Sequence, residues 1–125
     1  TKDNPSITQM LKRSGAIIQL QGRSYVTYKG LLWVAHRAGL QSIDVDLLEY
    51  DPESRRAVVK ATVTGTRGTY SDIGDASPDN VGKLIAQATI RMASTRAQSR
   101  ALRSMLGIGI TSLSELPGGE DEEDT

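Results

Sequence analysis

The sequence predicts an α+β fold: an antiparallel three-stranded β-meander with a long helix packed on it, a β-β-β-α core preceded by short helices. Three observations lead there. From Ser42 to Asp75 the apolar residues recur with a period of two, interrupted by turn-forming stretches. From Asn80 to Leu106 they recur at helical spacing with no proline. Before Ser42, two shorter helical patterns each end at a glycine.

The elements follow in order. SITQMLKRSG comes after Asn4-Pro5, spaces Ile7, Met10 and Leu11 at i, i+3 and i+4, and stops at Gly15, which predicts a short helix. AIIQLQGRSYVTY is rich in β-branched and aromatic residues and reads as a strand broken at Gly22. Thr27 is placed to N-cap a helix through YKGLLWVAHRAG, with Leu31, Val34, Ala35 and Ala38 on one side and Gly39 as the stop. SIDVDLLEY, RAVVKATVTGT and TYSDIGD are the three strands, separated by turns at DPESR and Arg67-Gly68. On the middle strand Ala57, Val59, Ala61 and Val63 share one side, while Arg56, Val58, Lys60, Thr62 and Thr64 share the other. Ser77-Pro78-Asp79 starts the final helix, which runs to Gly107, about seven turns at 3.6 residues each.

At 125 residues the chain is expected to form one domain with a single core. It has no cysteine, which excludes disulfides and thiolate metal sites, and no apolar run approaches the roughly 20 residues of a membrane span. No charged-then-apolar leader begins it, so the expectation is a soluble, cytoplasmic protein. The formal charge of zero conceals an asymmetry, since six of the fifteen acids lie in residues 115–125. Residues 1–114 carry fifteen basic and nine acidic residues, a formal +6. They read as a basic body, and residues 115–125 as a disordered acidic tail. Such a tail solubilises the chain or competes for the basic surface of its own core.

Arg96, Arg100 and Arg103 stand at i, i+4 and i+7 of the last helix, within one stripe, and no residue from Lys83 to Arg103 is acidic. Either Asp44, Asp46, Glu49 or Asp72 supplies internal partners, or the stripe is an anion site, for which the planar guanidinium fork suits phosphate. Arg91 lies off that stripe. Catalytic residues are not evident: His36 is the only histidine and reads as a satisfied surface or core residue, and no triad is suggested. Asp44, Asp46 and Glu49 fit a solvated strand better than a metal-dependent nuclease, because Val58 stands where a nuclease would need a carboxylate. GTRGTY and GIGIT read as a hairpin turn and a helix stop, not as phosphate loops. The five aromatics, Tyr25, Tyr28, Trp33, Tyr50 and Tyr70, do not make an evident base-stacking platform, and Trp33 is expected in the core.

Three stretches taken in order, SYVTYKGLLWVAHRAGL, KATVTGTRGTYSDIGDASPDN and SRALRSMLGIG, resemble the single-strand annealing proteins of homologous recombination. That superfamily holds the eukaryotic Rad-fifty-two repair protein and phage recombinases such as Erf. The resemblance covers roughly residues 24–110. The third stretch is similar to the family pattern Lys-Arg-Ala-Leu-Arg-Ser-Phe-Gly. The resemblance implies that Arg100 and Arg103 line a groove holding the backbone of single-stranded DNA, with Ser99 at the position of the family's lysine. Arg96, one turn earlier, is read as compensating for that lost charge, and Lys83 matches a further DNA-contacting lysine. Arg56, Lys60 and Arg67 are added as DNA contacts from strand geometry alone.

The resemblance further implies rings or helical filaments, no nucleotide hydrolysis, no cofactor and no metal. The expected activity is therefore non-enzymatic: single-stranded DNA binding and annealing of complementary strands in recombination and repair, in the cytoplasm and on the nucleoid of a bacterium or phage host. A host single-strand binding or recombination protein is a further expected partner. The alternative is a module that shields DNA ends without annealing.

Overall fold

The computed structural model describes residues 7–81 and 88–117. Within them the chain is α+β, with three helices and two three-stranded sheets. Helix α1 (Ile7–Arg13) buries Leu11 and is followed by a hairpin of β1 (Ile17–Leu20) and β2 (Arg23–Val26). What reads in sequence as one broken strand is therefore two, because Gln21 and Gly22 turn with positive φ. Helix α2 (Tyr28–Arg37) starts where expected: Thr27 Oγ1 accepts a hydrogen bond from the Gly30 amide at 3.0 Å.

The meander follows as β3 (Leu40–Asp51), β4 (Arg56–Gly65) and β5 (Gly68–Ala76), antiparallel in the order β3-β4-β5. Ala57, Val59, Ala61 and Val63 of β4 are buried beneath helix α3 (Thr89–Leu106), while Arg56 and Lys60 on the opposite face are exposed. Helix α3 lies across β4 and β5 and touches β3 little. Its approach to β5 is close at Gly74, where an added Cβ would stand 2.4 Å from the Ala97 nitrogen and 2.5 Å from the Ala93 oxygen. A side chain there would hold the helix off the sheet. Gly107 ends α3 in the left-handed conformation, φ 71°, with its amide donating to the Arg103 and Ser104 carbonyls.

Two expectations about α3 are corrected. Ser77–Val81 forms turns instead of the first turn of the helix, with Asn80 Oδ1 accepting from the Ser77 amide, and the 18-residue helix makes about five turns. The part expected over residues 82–87 lies outside the described residues. After α3 the chain returns as β6 (Thr111–Ser112), parallel to β2, and a 3₁₀ turn at Leu113–Glu115. Ser112, Leu113 and Ser114 are buried, so the folded body extends through Glu115, where an acidic tail was expected to begin. Among the described residues no helix is long and apolar enough to cross a membrane.

Candidate nucleic-acid interface on the long helix

The returning segment changes the meaning of the arginine stripe. An amphipathic helix on a sheet normally leaves one face to water, but here β6 and the 3₁₀ turn pack along α3 on the side bearing Arg96. Arg96 is only 4% exposed. Its Nε donates to the Ser114 carbonyl at 2.8 Å, Nη1 to the Asp75 carbonyl at 2.9 Å and Asn80 Oδ1 at 3.0 Å, and Nη2 to the Asn80 carbonyl at 2.9 Å. Burial holds its acidity above that of a free guanidinium, only partly opposed by Glu115 and Asp75. Arg96 thus joins three chain segments and is not open to a bound strand.

Arg100 is half-buried and engaged too. Glu115 accepts from its Nε and its Nη2, each at 2.6 Å, and the Ile73 carbonyl accepts from Nη1 at 2.7 Å. The hydrogen bonds it donates to Glu115 hold the Arg100 proton more firmly than usual. Burial pushes the Glu115 carboxyl up, but hydrogen bonds from Arg100 and the charges of Arg100, Arg96 and Arg103 outweigh it and leave it below the usual glutamate value. The close ion-pair partner of the stripe is therefore Glu115, with the charge of Asp72 acting on Arg100 from further off, and neither Asp44, Asp46 nor Glu49 takes part. Arg103 is half-buried, and its Nε has no hydrogen-bond partner among the described residues.

Ser99, expected beside these arginines, is wholly buried on the stripe of Met92, Thr95, Leu102 and Leu106, with no partner for its Oγ among the described residues. A little over a quarter of a turn separates it from the row of Arg100, because residues 99 and 100 differ by about 100° around the axis. Arg56, Lys60 and Arg67 fall elsewhere. Arg56 and Lys60 project from the sheet face opposite α3, where Arg56 meets Glu49 at 3.9 Å and Asp75 at 4.0 Å, and Lys60 stands in register with Asp46. Arg67 sits in the exposed β4–β5 turn, its carbonyl accepting from the Tyr70 hydroxyl. Lys83 lies outside the described residues. The expected contacts thus divide between a helix row, a sheet face and a hairpin tip.

One residue was misplaced by its sequence context. Trp33, expected in the core, is 43% exposed, with the Arg37 guanidinium 4.1 Å from its ring centroid. A signal for this was present: residues 4–43 hold Lys12, Arg13, Arg23, Lys29 and Arg37 and no acid, whereas residues 44–79 hold eight acids and four bases. Charge is segregated, with the meander acidic and the segments around it basic. Among the described residues no group of three or more His, Asp or Glu side chains is arranged to hold a metal ion. No protein-family model matches the chain, and no curated protein or solved structure matches it significantly.

Proposed function

We propose that this chain binds single-stranded DNA and, without hydrolysing a nucleotide, pairs complementary strands during recombination or repair, acting as a homo-oligomer. The observation that carries this reading is the carboxylate seated in the Arg100 fork at 2.6 Å on both sides, one turn from the half-buried Arg103. A guanidinium that takes a planar oxyanion bidentately has the geometry to take a phosphate in the same way. Exchange of Glu115 for a backbone phosphate keeps the charge of Arg100 matched, whereas Arg96 stays in place as the anchor of the 3₁₀ turn.

Such a site reads charge and shape and leaves base edges free, so a second strand selects its partner by base pairing alone. The sheet supports self-assembly. The β5 edge has its Ile73 and Asp75 carbonyls covered by Arg100 and Arg96, while the β3 edge is uncovered among the described residues and exposes Val45, Leu47 and Leu48. Repetition of a weak grip over many subunits multiplies affinity.

The deciding experiment mixes two complementary fluorescently labelled oligonucleotides with the protein, in the absence of ATP and divalent metal. Pairing faster than the spontaneous rate is expected. Slowed pairing would make the protein a DNA-shielding module instead, and absence of binding to either strand at low salt would overturn the reading. Affinity is expected to fall with salt at a log–log slope of about −0.7 per phosphate contacted.

A further inference from the structure

We propose that Lys29, Trp33 and Arg37 on α2, together with the pocket between α2 and the turn after α1, bind an unstacked base of single-stranded DNA and its flanking phosphates. This deepens the reading above and rests on it, but at a place separate from the α3 arginine row. The three residues stand at i, i+4 and i+8, so they form one stripe along α2, on the side away from the buried Leu31, Val34 and Ala35. A basic residue stands one turn along the helix to either side of the exposed indole, with the Arg37 guanidinium resting over one face of the ring. That is the arrangement a single strand requires, with a ring for the base and a charge for each neighbouring phosphate.

Beside the indole is a pocket of about 480 Å³, within the range of small-ligand sites, lined by Ser14, Gly15, Thr27, Lys29 and Trp33. Its floor is the contact between Gly30 and Ala16. A Cβ at residue 30 would lie 2.0 Å from the Ala16 Cβ, so only glycine lets α2 seat against the hairpin there. The contact of Arg37 with the ring explains the position of Arg37 alone; it accounts neither for the pocket nor for Lys29. Neither Lys29 nor Arg37 is ion-paired among the described residues, and the absence of any acid from residue 4 to residue 43 leaves their charge uncompensated locally. The arginines of α3 present the opposite case, being engaged by carbonyls and by Glu115.

Trp33 is the only tryptophan, so the site carries its own reporter. The test titrates the full chain with a labelled oligothymidylate and follows label anisotropy and tryptophan emission together. Emission is expected to be quenched with the same midpoint as the anisotropy, whereas heparin, a polyanion without bases, leaves emission unchanged. Trp33→Ala is expected to weaken binding about tenfold and Trp33→Phe, which retains a stacking face, at most about threefold. Binding by anisotropy with unaltered emission would overturn this site and leave the proposed function standing. Equal quenching by heparin would reduce the site to a general anion patch and overturn base recognition. No binding at all would overturn both. Should Trp33→Ala fail to fold, the wild-type titration and Lys29→Glu, which alters an exposed side chain, decide the matter: undiminished affinity in Lys29→Glu counts against the site.

Discussion

Glu115 closes on Arg100 with both carboxylate oxygens, 2.6 Å from Nε and 2.6 Å from Nη2, while the third arm of the guanidinium caps the Ile73 carbonyl on the free edge of β5. One residue of α3 thereby joins the C-terminal 3₁₀ turn to the sheet edge. The neighbouring Arg96 does the same one turn earlier through Ser114 and Asp75. An edge strand normally invites pairing with another chain, and here two guanidinium groups occupy its outward carbonyls. The arginine row thus has a structural task at Arg96, and at Arg100 a bond whose exchange would release an anion site.

Replacing Glu115 with glutamine is expected to destabilise the fold by about 1.5–3 kcal/mol, the range for hydrogen bonds to charged groups, read as a lowered urea midpoint at neutral pH. The loss has a defined pH dependence. Because the folded carboxyl titrates below the ordinary glutamate value of 4.5, the unfolded chain binds the proton more readily, and stability rises with pH through that interval. Wild type and variant therefore differ fully above pH 4.5 and converge as pH falls through the lower folded-state value. The same substitution leaves no carboxylate to take up a cation when phosphate enters the Arg100 fork, so the salt dependence of single-strand binding is expected to steepen by about 0.7 in log–log slope. An unchanged slope would remove Arg100 from the interface.

Arg96→Ala has a different expected signature. It strands the Ser114, Asp75 and Asn80 carbonyls, and each buried acceptor left without a donor costs about 1–3 kcal/mol. For a domain with about 5–15 kcal/mol of total stability this approaches unfolding at room temperature. Denaturation monitored by circular dichroism should show the loss, and whatever fraction remains folded should bind single-stranded DNA with the affinity of wild type. A stable Arg96→Ala variant with selectively weakened binding would restore Arg96 to the interface.

The fold was legible where one face of an element meets water and the other meets the core. The alternation along β4 predicts the burial of Ala57, Val59, Ala61 and Val63, and Thr27 and Gly39 bound α2 as their chemistry requires. The candidate site was less legible, because its environment is set by a segment distant in sequence. Nothing local to Arg96 reveals that Ser114 and Asn80 will accept from it, nor that Glu115, which reads as the start of a charged tail, folds back onto Arg100. Trp33 fails for the converse reason. Its neighbours Leu31, Leu32 and Val34 make the helix look apolar all round, yet with 3.6 residues per turn it falls on the stripe of Lys29 and Arg37.

Gly74→Ala tests the seating of α3 on β5. The added methyl would meet backbone atoms of Ala93 and Ala97, which cannot rotate away as a side chain would. Overpacking of this kind costs about 1–3 kcal/mol, so a reduced thermal midpoint is expected. Since Arg96 and Arg100 reach across the same helix–strand contact to Asp75 and Ile73, an outward shift of α3 loosens both bonds. Hydrogen exchange should therefore accelerate at the Gly107 amide and in the 3₁₀ turn together. Faster exchange confined to β5 would indicate that the helix holds its place and the strand deforms.

The β3 edge carries the remaining prediction. Val45 and Leu47 stand in register with Ala61 and Val59, on the face that α3 covers over β4, yet the helix does not extend over them, and Leu47 is 51% exposed. An apolar strip beside an unpaired strand edge is a poor surface to leave in water, and the proposed oligomer would bury it. Leu47→Lys places a charge in that strip while altering a side chain that contributes little to the isolated fold, so unfolding free energy is expected to change by no more than about 0.5 kcal/mol. Sedimentation velocity should show the assembly of wild type reduced toward the single chain in the variant. Wild type sedimenting as a single chain at micromolar concentration, with and without single-stranded DNA, would overturn self-assembly. A variant that assembles as well as wild type would move the interface away from β3.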